Sequence, residues 1–445
     1  MNIMALNSLA LDLVARDFSD GHMPTNGGPT KTSRALAIIH LAARDAYAKV
    51  TGSYPAKLTS LPNKPAGLSN DDATGTAAML AAGLRAAALL YPDFASHIST
   101  QRASLIPAGA NASAVTYGDQ IGQQWVSSRV GDKSELPQED TSYNPAPGHH
   151  RPDPLAPGQK ALGRNWGQVT PFVLTNVATD APLGPCPPLV SPEYAKSFKQ
   201  VYSMGRNNTK DMNPSRRRQS NVGIFWGYDG ANKLGTPPRL YNQIVISAQE
   251  FKDQNHAGKI NILAAINAAM ADAGIAAWHW KYVYDFWRPV IGVREADAEW
   301  GPSGIGDGNK DTVGDPFWLP LGAPRSNPHE LKVGAAGRNF TPNFPAYPSG
   351  HATFGSACFE TFAALVGKKT SNIQVTFTSD EFNGITTDNE GAMRPHWTQK
   401  FTLSEGIAQN NISRIYLGVH WDFDATGGET VGKAVAKKVV QAFKP

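Results

Sequence analysis

The chain has 445 residues, of which 41% are hydrophobic and 18% are charged, and its formal net charge is +4. This composition is typical of a soluble globular protein with a large core, and it excludes a strongly basic nucleic-acid-binding protein. No run of eighteen apolar residues occurs, so the sequence predicts no membrane span. The N-terminus lacks a basic segment followed by an apolar one, so no signal peptide is visible, and the compartment stays open.

Helical periodicity dominates from the N-terminus onward. In segment 33–47, Leu36, Ile39, Ala43 and Tyr47 recur on one face of a predicted helix, and Ser33 is its predicted N-cap. Further helices are predicted near 72–90, 260–284, 351–367, 402–419 and 428–443. The best strand candidate is the alternating segment 373–378.

Between the predicted helices lie loops rich in proline and glycine, at 141–163, 180–193 and 300–349. They also contain Trp, Phe and Leu, so we expect ordered coverings over a helical core. No period of 20–50 residues repeats. The sequence therefore predicts a mostly α fold with little β structure, forming one compact unit over 1–445. Segment 95–215 has too little pattern to assign chemistry to it.

We interpret the two cysteines and the one compact basic run as structural features without a catalytic or binding role. Cys186 and Cys358 lie far apart in different contexts, so we expect no disulfide framework, with Cys358 a small core residue. No Cys/His spacing suggests zinc. Arg216-Arg217-Arg218 is interpreted as a solvated surface loop.

Two cations stand in an aromatic segment, Lys281-Tyr-Val-Tyr-Asp-Phe-Trp-Arg288. A spacing of seven is two helical turns, so both are predicted to project from one face of a helix that ends near Arg288, because Pro289 follows. The aromatic surroundings indicate burial. Buried charge is costly unless it is paired, so these cations need an anionic partner.

A second segment, Pro348-Ser349-Gly350-His351, leads directly into an apolar helix. A Ser-Gly pair at a helix N-terminus offers a hydroxyl and free N–H groups where the helix dipole favours negative charge. Ordinary N-capping by Ser349 is the structural alternative for this segment alone.

In the third segment, Arg414 and His420 bracket an apolar run, and Asp424 follows four residues later. An Arg and a His around such a run must share a pocket or disturb a core, although a purely structural ion pair remains an alternative. Asp424 is placed to accept the Nδ1–H of His420, which leaves Nε2 to bond elsewhere. Together the three segments supply a set of groups suited to holding one tetrahedral oxyanion.

These segments match, without substitution, the pattern Lys-x6-Arg-Pro, Pro-Ser-Gly-His and Ser-Arg-x5-His-x3-Asp. The chain thereby resembles the superfamily of type 2 phosphatidic acid phosphatases and vanadium haloperoxidases. Flanking segments that begin at Phe225, Gly235, Phe344 and Ile412 look like the vanadium chloroperoxidase branch. The likeness covers most of the chain, weakly over 50–190, and the chain looks shorter than the fungal chloroperoxidases.

The resemblance implies two packed four-helix bundles, with an N-terminal helical half at roughly 1–220 and a C-terminal half at 221–445 that carries a vanadate site. It implies that His420 is the axial ligand of the vanadium and that His351 is the acid–base residue. Lys281 would polarise the bound peroxide, and Asp229 would pair with Arg414. The implied vanadate-binding residues are Lys281, Arg288, Ser349, Gly350, His351, Arg414 and His420.

The implied activity is oxidation of bromide, chloride and iodide by hydrogen peroxide to hypohalous acid, which halogenates small electron-rich organic acceptors. No haem, flavin or nicotinamide is expected. Trp278 and Phe344 match the aromatic pair near the halide site of chloroperoxidases, although plain core packing explains them equally well. Some bromide-preferring relatives carry His at the position of Phe344.

Two other functions remain open from the sequence. A soluble acid phosphatase would use the same pocket, with His420 attacking phosphorus to give a phosphohistidine and His351 protonating the leaving group. Vanadate and phosphate are nearly isosteric, so the site residues alone do not separate these activities. A non-enzymatic helical scaffold with a decayed site would lack part of the constellation, and no part is missing.

Overall fold

The computed structural model describes residues 3–19, 22–207, 213–230, 232–323, 340–387 and 391–444. The predicted mostly α class is confirmed. The helices of the first half are α1 Ile3–Asp17, α2 Gly28–Thr51, α3 Asp72–Leu90, α4 Ala95–Leu105, α5 Ala112–Ser127, α6 Val177–Asp180, α7 Pro192–Met204 and α8 Pro214–Phe225. Those of the second half are α9 Pro237–Ser247, α10 Gln249–Lys252, α11 His256–Tyr284, α12 Pro289–Gly292, α13 Gly350–Leu365, α14 Leu403–Tyr416 and α15 Asp422–Phe443.

The long helix α11 lies at the centre of the fold. It packs on α2, which packs on α3 and α5 in the N-terminal bundle, and also on α13 and α15 in the C-terminal bundle. Its alanine-rich central part, 260–278, is buried except at Asn261. Because alanine side chains are small, one helix can contact neighbours on several sides without leaving a gap.

Glycines allow α13 and α15 to pack very closely. A Cβ atom at Gly428 would lie 2.5 Å from the carbonyl oxygen of Ser349, and one at Gly432 would lie 2.5 Å from that of Thr353. Spaced four residues apart, the two glycines share one face of α15. This close contact sets the N-terminus of α15 beside the N-terminus of α13, where two of the three motif segments meet.

Most predicted helices are found, with shifted ends. The prediction at 72–90 coincides with α3, whereas α15 begins at Asp422, six residues earlier than expected. The predicted cap at Ser33 is wrong, because α2 begins at Gly28 with Pro29 in its first turn. Ser33 lies inside the helix and donates its hydroxyl to the carbonyl of Thr30.

Two other predictions from the sequence are also wrong. Helix α11 ends at Tyr284, because Asp285 adopts the left-handed conformation with φ of +48°. Arg288 therefore lies beyond the helix, as the extended residue before Pro289 of α12. The basic run at 216–218 belongs to α8 and not to a loop, although Arg217 and Arg218 are solvent-exposed as expected.

Apart from isolated β-bridges, the β structure of the described residues consists of two small antiparallel strand pairs. The strand predicted at 373–378 is part of β3, Gln374–Asn383, which pairs with β4, His396–Thr402, in a hairpin with an irregular register after Thr378. The other pair is β1, Glu139–Asp140, with β2, Ala161–Leu162. The proline- and glycine-rich segments mainly form ordered loops, with 324–339 outside the described residues.

Two helices, α3 and α11, are long and apolar enough to cross a membrane by length and composition. The most apolar window of each is mainly buried inside the fold, 67% for α3 and 94% for α11. Their apolar sequences are therefore explained by burial against other helices in the core of the fold. Cys186 and Cys358 are both free, and Cys358 is buried on α13 as predicted.

Candidate oxyanion-binding site

The three motif segments meet where the N-termini of α13 and α15 approach the end of α11. His420, in the short turn between α14 and α15, places Nδ1 2.8 Å from Oδ2 of Asp424 and Nε2 2.9 Å from Nη1 of Arg288. A guanidinium only donates, so Nε2 is the accepting nitrogen and Nδ1 carries the proton. Burial and the nearby Arg288 lower the pKa of His420 well below its usual value. His420 is thus neutral, with a lone pair on Nε2.

Asp424 connects the histidine to the serine segment. Its Oδ2 also accepts the Trp421 N–H at 2.9 Å, and its backbone carbonyl accepts the Ser349 N–H at 2.8 Å. Burial raises the pKa of Asp424 to about 7, although the Trp421 N–H and the cation Lys281 act in the opposite direction. The first turn of α15 therefore positions both the imidazole of His420 and the backbone of Ser349.

Arg288 is fully buried and is held by backbone carbonyls. Its Nε donates to the carbonyl of Phe344 at 2.9 Å and its Nη1 to that of Val419 at 2.7 Å. Burial lowers the pKa of Arg288 to about 9. Its Nη2 has no hydrogen-bond partner in the described part of the chain. This nitrogen is therefore a donor in a fixed position that can bind an anion.

Arg414, at the end of α14, forms a two-pronged ion pair with Asp229. Nη1 lies 3.0 Å from Oδ2, and Nη2 lies 2.9 Å from Oδ1. Both side chains are buried, which suits a planar guanidinium bound by a carboxylate. Its Nε, like Nη2 of Arg288, is buried and has no partner among the described residues.

Ser349 precedes α13, but its side chain makes no capping hydrogen bond. Its Oγ is buried, and no described residue bonds to it. The three motif segments thus supply one unused donor each: Ser349 Oγ, Arg288 Nη2 and Arg414 Nε. Buried polar atoms in proteins are normally paired, so these donors fit a bound tetrahedral oxyanion beside His420.

Lys281 is also buried, but its three donors are in use. Nζ lies 2.7 Å from the carbonyl oxygen of Pro345, 3.0 Å from that of Ala346 and 2.6 Å from that of Pro348. Burial, followed by the neighbouring Arg288, lowers the pKa of Lys281 well below its usual value. In this arrangement Lys281 holds the chain that leads into Ser349.

His351, in the first turn of α13, faces a different partner. Its Nε2 lies 2.8 Å from the carbonyl oxygen of Gly227, an acceptor, so Nε2 carries the proton and Nδ1 has the lone pair. Burial, with the nearby Arg414 acting in the same direction, lowers the pKa of His351 to about 4. His351 is therefore a neutral base at neutral pH.

The loop that carries Gly227 and Asp229 is held by the β3–β4 hairpin. The N–H of Tyr228, whose φ is +49°, donates to Oε1 of the buried Glu381 at 3.3 Å, and the other oxygen of Glu381 pairs with Arg394. The Tyr228 hydroxyl accepts the Asp380 N–H at 2.8 Å. Glu381 and Arg394 were not predicted as part of the site, because no local motif links them to a loop about 150 residues away.

A cavity of about 610 Å³ opens above the cluster, and His351, Arg414 and His420 form part of its lining. Trp278 and Phe344 also line it, with ring centroids 4.8 Å apart. The Trp278 indole N–H donates to the carbonyl oxygen of Leu162 at 3.3 Å. The polar group of this side chain is therefore already used, and its ring lines the cavity. The structure thus brings all the predicted site residues into one region, with Gly350 against Trp278.

The chain is similar in sequence to known proteins over part of its length. A family model described as the VCPO second helical-bundle domain matches residues 261–445. The vanadium chloroperoxidase of Curvularia inaequalis is 36% identical over 273 residues, which cover 54% of this chain and 41% of that protein. The match therefore spans less than half of the length of this relative.

Solved structures share the fold over nearly the whole chain. A bacterial vanadium-dependent iodoperoxidase has a TM-score of 0.70 at 21% identity, covering 98% of this chain and 95% of that one. An apo bacterial vanadium-dependent chloroperoxidase has a TM-score of 0.65 at 15% identity, covering 94% of each chain. The fold of this chain is therefore the one found in these two bacterial enzymes. The part of the chain that the family model matches contains all three motif segments.

Proposed function

We propose that the protein is a vanadium-dependent haloperoxidase that oxidises halide with hydrogen peroxide to hypohalous acid. The observation that carries the proposal is the set of three unused buried donors, Ser349 Oγ, Arg288 Nη2 and Arg414 Nε, beside His420, whose Nε2 lone pair accepts only a hydrogen bond from Arg288 Nη1 among the described residues. These groups would hold vanadate as an oxyanion, with His420 Nε2 as the ligand to the metal. When bound, vanadate supplies a Lewis acid that activates peroxide without changing oxidation state.

The chain's own residues then have separate tasks. Arg288 and Arg414 neutralise the oxyanion, and Asp424 keeps the proton of His420 on Nδ1. His351, neutral because its pKa is about 4, takes a proton from hydrogen peroxide at Nδ1. Lys281 contributes its positive charge from behind the Pro345–Pro348 carbonyls and keeps the Ser349 turn in place.

The halide approaches through the cavity, past Trp278 and Phe344. Both aromatic rings remove water from the ion, which raises the reactivity of the poorly reducing chloride. Bromide and iodide are the primary expected substrates, with chloride as the more demanding one. Replacing Phe344 by His should lower the ratio of chloride to bromide turnover, measured by chlorination and bromination of the same dye.

The test is bromination of a phenolic dye by chelator-stripped protein and hydrogen peroxide, with and without orthovanadate and with phosphate as competitor. Activity should require vanadate, fall with phosphate and be lost in His420→Ala. The matched control is His396→Ala, on the exposed side of β4, which should keep activity. If the protein instead hydrolyses a phosphate ester and vanadate inhibits it, the pocket belongs to a phosphatase.

A further inference from the structure

The peptide group between Gly227 and Tyr228 makes hydrogen bonds in both directions. Its carbonyl oxygen accepts the Nε2–H of His351 at 2.8 Å, and its N–H donates to Oε1 of Glu381 at 3.3 Å. His351 is 8% exposed and Glu381 is fully buried. Because a peptide group is planar and rigid, its carbonyl and its N–H move together. One rigid group therefore connects the proposed base to a buried carboxylate.

The backbone at Tyr228 needs support from its surroundings. Its φ of +49° lies in the left-handed region, which residues with a side chain rarely adopt. The Tyr228 hydroxyl donates to Oε1 of Gln243 at 3.0 Å and accepts the Asp380 N–H at 2.8 Å. Such a backbone conformation persists only where the surrounding structure fixes it, and it is common at functional sites. These contacts hold the peptide so that the Gly227 carbonyl faces His351.

Arg394 orients the carboxylate of Glu381. It pairs with Oε2, which leaves Oε1 for the Tyr228 N–H, and both side chains of the pair are buried. Burial raises the pKa of Glu381 to about 7, and the charge of Arg394 acts in the opposite direction. An acceptor on the N–H polarises a peptide and strengthens its carbonyl oxygen as an acceptor in turn. Glu381 therefore strengthens the hydrogen bond that His351 donates.

We propose that Glu381 is a positioning residue that acts through the Gly227–Tyr228 peptide to hold the His351 imidazole with its proton on Nε2 and its lone pair on Nδ1. The proposal rests on the proposed function, in which Nδ1 of His351 is the base. The nearest oxygen of Asp229 lies 3.7 Å from Nε2, which is too far for a hydrogen bond. The peptide carbonyl is therefore the acceptor of this proton among the described residues.

The exchange of the His351 Nε2 proton with water tests this link, because it is measured on apoprotein and needs no turnover. NMR of protein labelled with ¹⁵N-histidine detects the proton, and its loss in His351→Gln assigns it. In Glu381→Gln the exchange should be about tenfold faster, because Arg394 binds the only amide oxygen and the amide N–H₂ group then faces the Tyr228 N–H. An unprotected proton in the wild-type protein, or an unchanged rate in Glu381→Gln, would overturn the proposal.

Two double variants lack the Arg394–Glu381 ion pair and differ in whether residue 381 offers an acceptor. In Glu381→Gln with Arg394→Met, the amide oxygen is free for the Tyr228 N–H, so the exchange rate should return to within about threefold of wild type. In Glu381→Met with Arg394→Met no acceptor remains, and exchange should stay about tenfold faster. If the ion pair only stabilised the hairpin, both rates would be equal, which would contradict the proposal. This comparison also carries the test where Glu381→Gln fails to fold.

Turnover separates this role from the proposed activity. In vanadate-loaded protein, kcat/KM for hydrogen peroxide in bromination should fall about tenfold in Glu381→Gln and recover when Arg394→Met is added. The Kd of vanadate should change less than about threefold, because Arg414 keeps its ion pair with Asp229. Faster proton exchange in Glu381→Gln without bromination by the wild-type protein would support the link and remove the proposed function. Bromination with unchanged exchange would keep the haloperoxidase and overturn the role of Glu381.

Discussion

His420 and Asp424 form a buried pair in which Nδ1 of the histidine lies 2.8 Å from Oδ2 of the aspartate. The same aspartate receives the Ser349 N–H on its backbone carbonyl at 2.8 Å. One turn of α15 therefore determines the tautomer of the proposed metal ligand and the position of the proposed oxyanion-binding hydroxyl. Asp424 therefore positions both the His420 side chain and the Ser349 backbone.

Replacing Asp424 by Asn should weaken vanadate affinity about 10- to 100-fold, because the amide no longer holds the proton of His420 on Nδ1. Affinity is measured from the vanadate dependence of bromination and, independently, by titrating apoprotein with vanadate in a calorimeter. Asp422→Asn, two residues earlier and partly exposed, serves as the control. An unchanged vanadate affinity in Asp424→Asn would show that the pair does not orient the ligand.

The Asp229–Arg414 pair should be important for stability as well as for anion binding. Asp229→Asn leaves the buried guanidinium of Arg414 without its carboxylate, and removing one partner of a buried pair costs about 3 kcal/mol. The free energy of unfolding is measured by denaturant titration of apoprotein. Asp12→Asn breaks an exposed pair with Arg16 and should cost less than about 1 kcal/mol. A loss in Asp229→Asn no larger than in this control would argue against the pairing.

The low pKa of His351 predicts that stability depends on pH. The pKa falls from 6.5 to about 4 on folding because of burial, so between these values the unfolded chain binds a proton that the folded chain does not. Stability must then decrease as pH falls from about 6.5 and level off below about 4, by about 3 kcal/mol for this group. His351→Gln should flatten the pH profile of unfolding by that amount, and the exposed-site variant His396→Gln should not. A wild-type slope in His351→Gln would contradict the assignment.

Gly163 is expected to be indispensable for the cavity wall. Its φ is +84°, and a Cβ atom there would lie 2.1 Å from Nε1 of Trp278. Gly163→Ala should therefore lower the free energy of unfolding by about 2 kcal/mol and disturb the Trp278 environment, seen by near-ultraviolet circular dichroism. Gly158→Ala, in the same loop, meets no atom within 4 Å and should change stability by less than about 0.5 kcal/mol. Equal stability of the two variants would refute the predicted clash.

Much of the candidate site was predictable because its residues lie in short segments with informative spacing. The four-residue interval from His420 to Asp424 predicted the observed contact between them. The likeness of the segment at Phe225 to the chloroperoxidases suggested the pairing of Asp229 with Arg414, which the structure contains. The error at Arg288 arose from assuming that a helix continues to the residue before proline, whereas the left-handed turn at Asp285 ends it earlier.

The sequence by itself determined the helical class and the chemical identity of the oxyanion-binding groups, because helical periodicity and motif spacing are local properties of the chain. Only the tertiary structure decided which donors remain free, since each hydrogen-bond partner comes from a distant segment. The carbonyls of 345–348 occupy all three donors of Lys281, whereas Nη2 of Arg288 and Oγ of Ser349 stay unused. Glu381 supports the Asp229 loop, and residues of the N-terminal half line part of the cavity. Both features arise from packing between elements that lie more than a hundred residues apart in the chain.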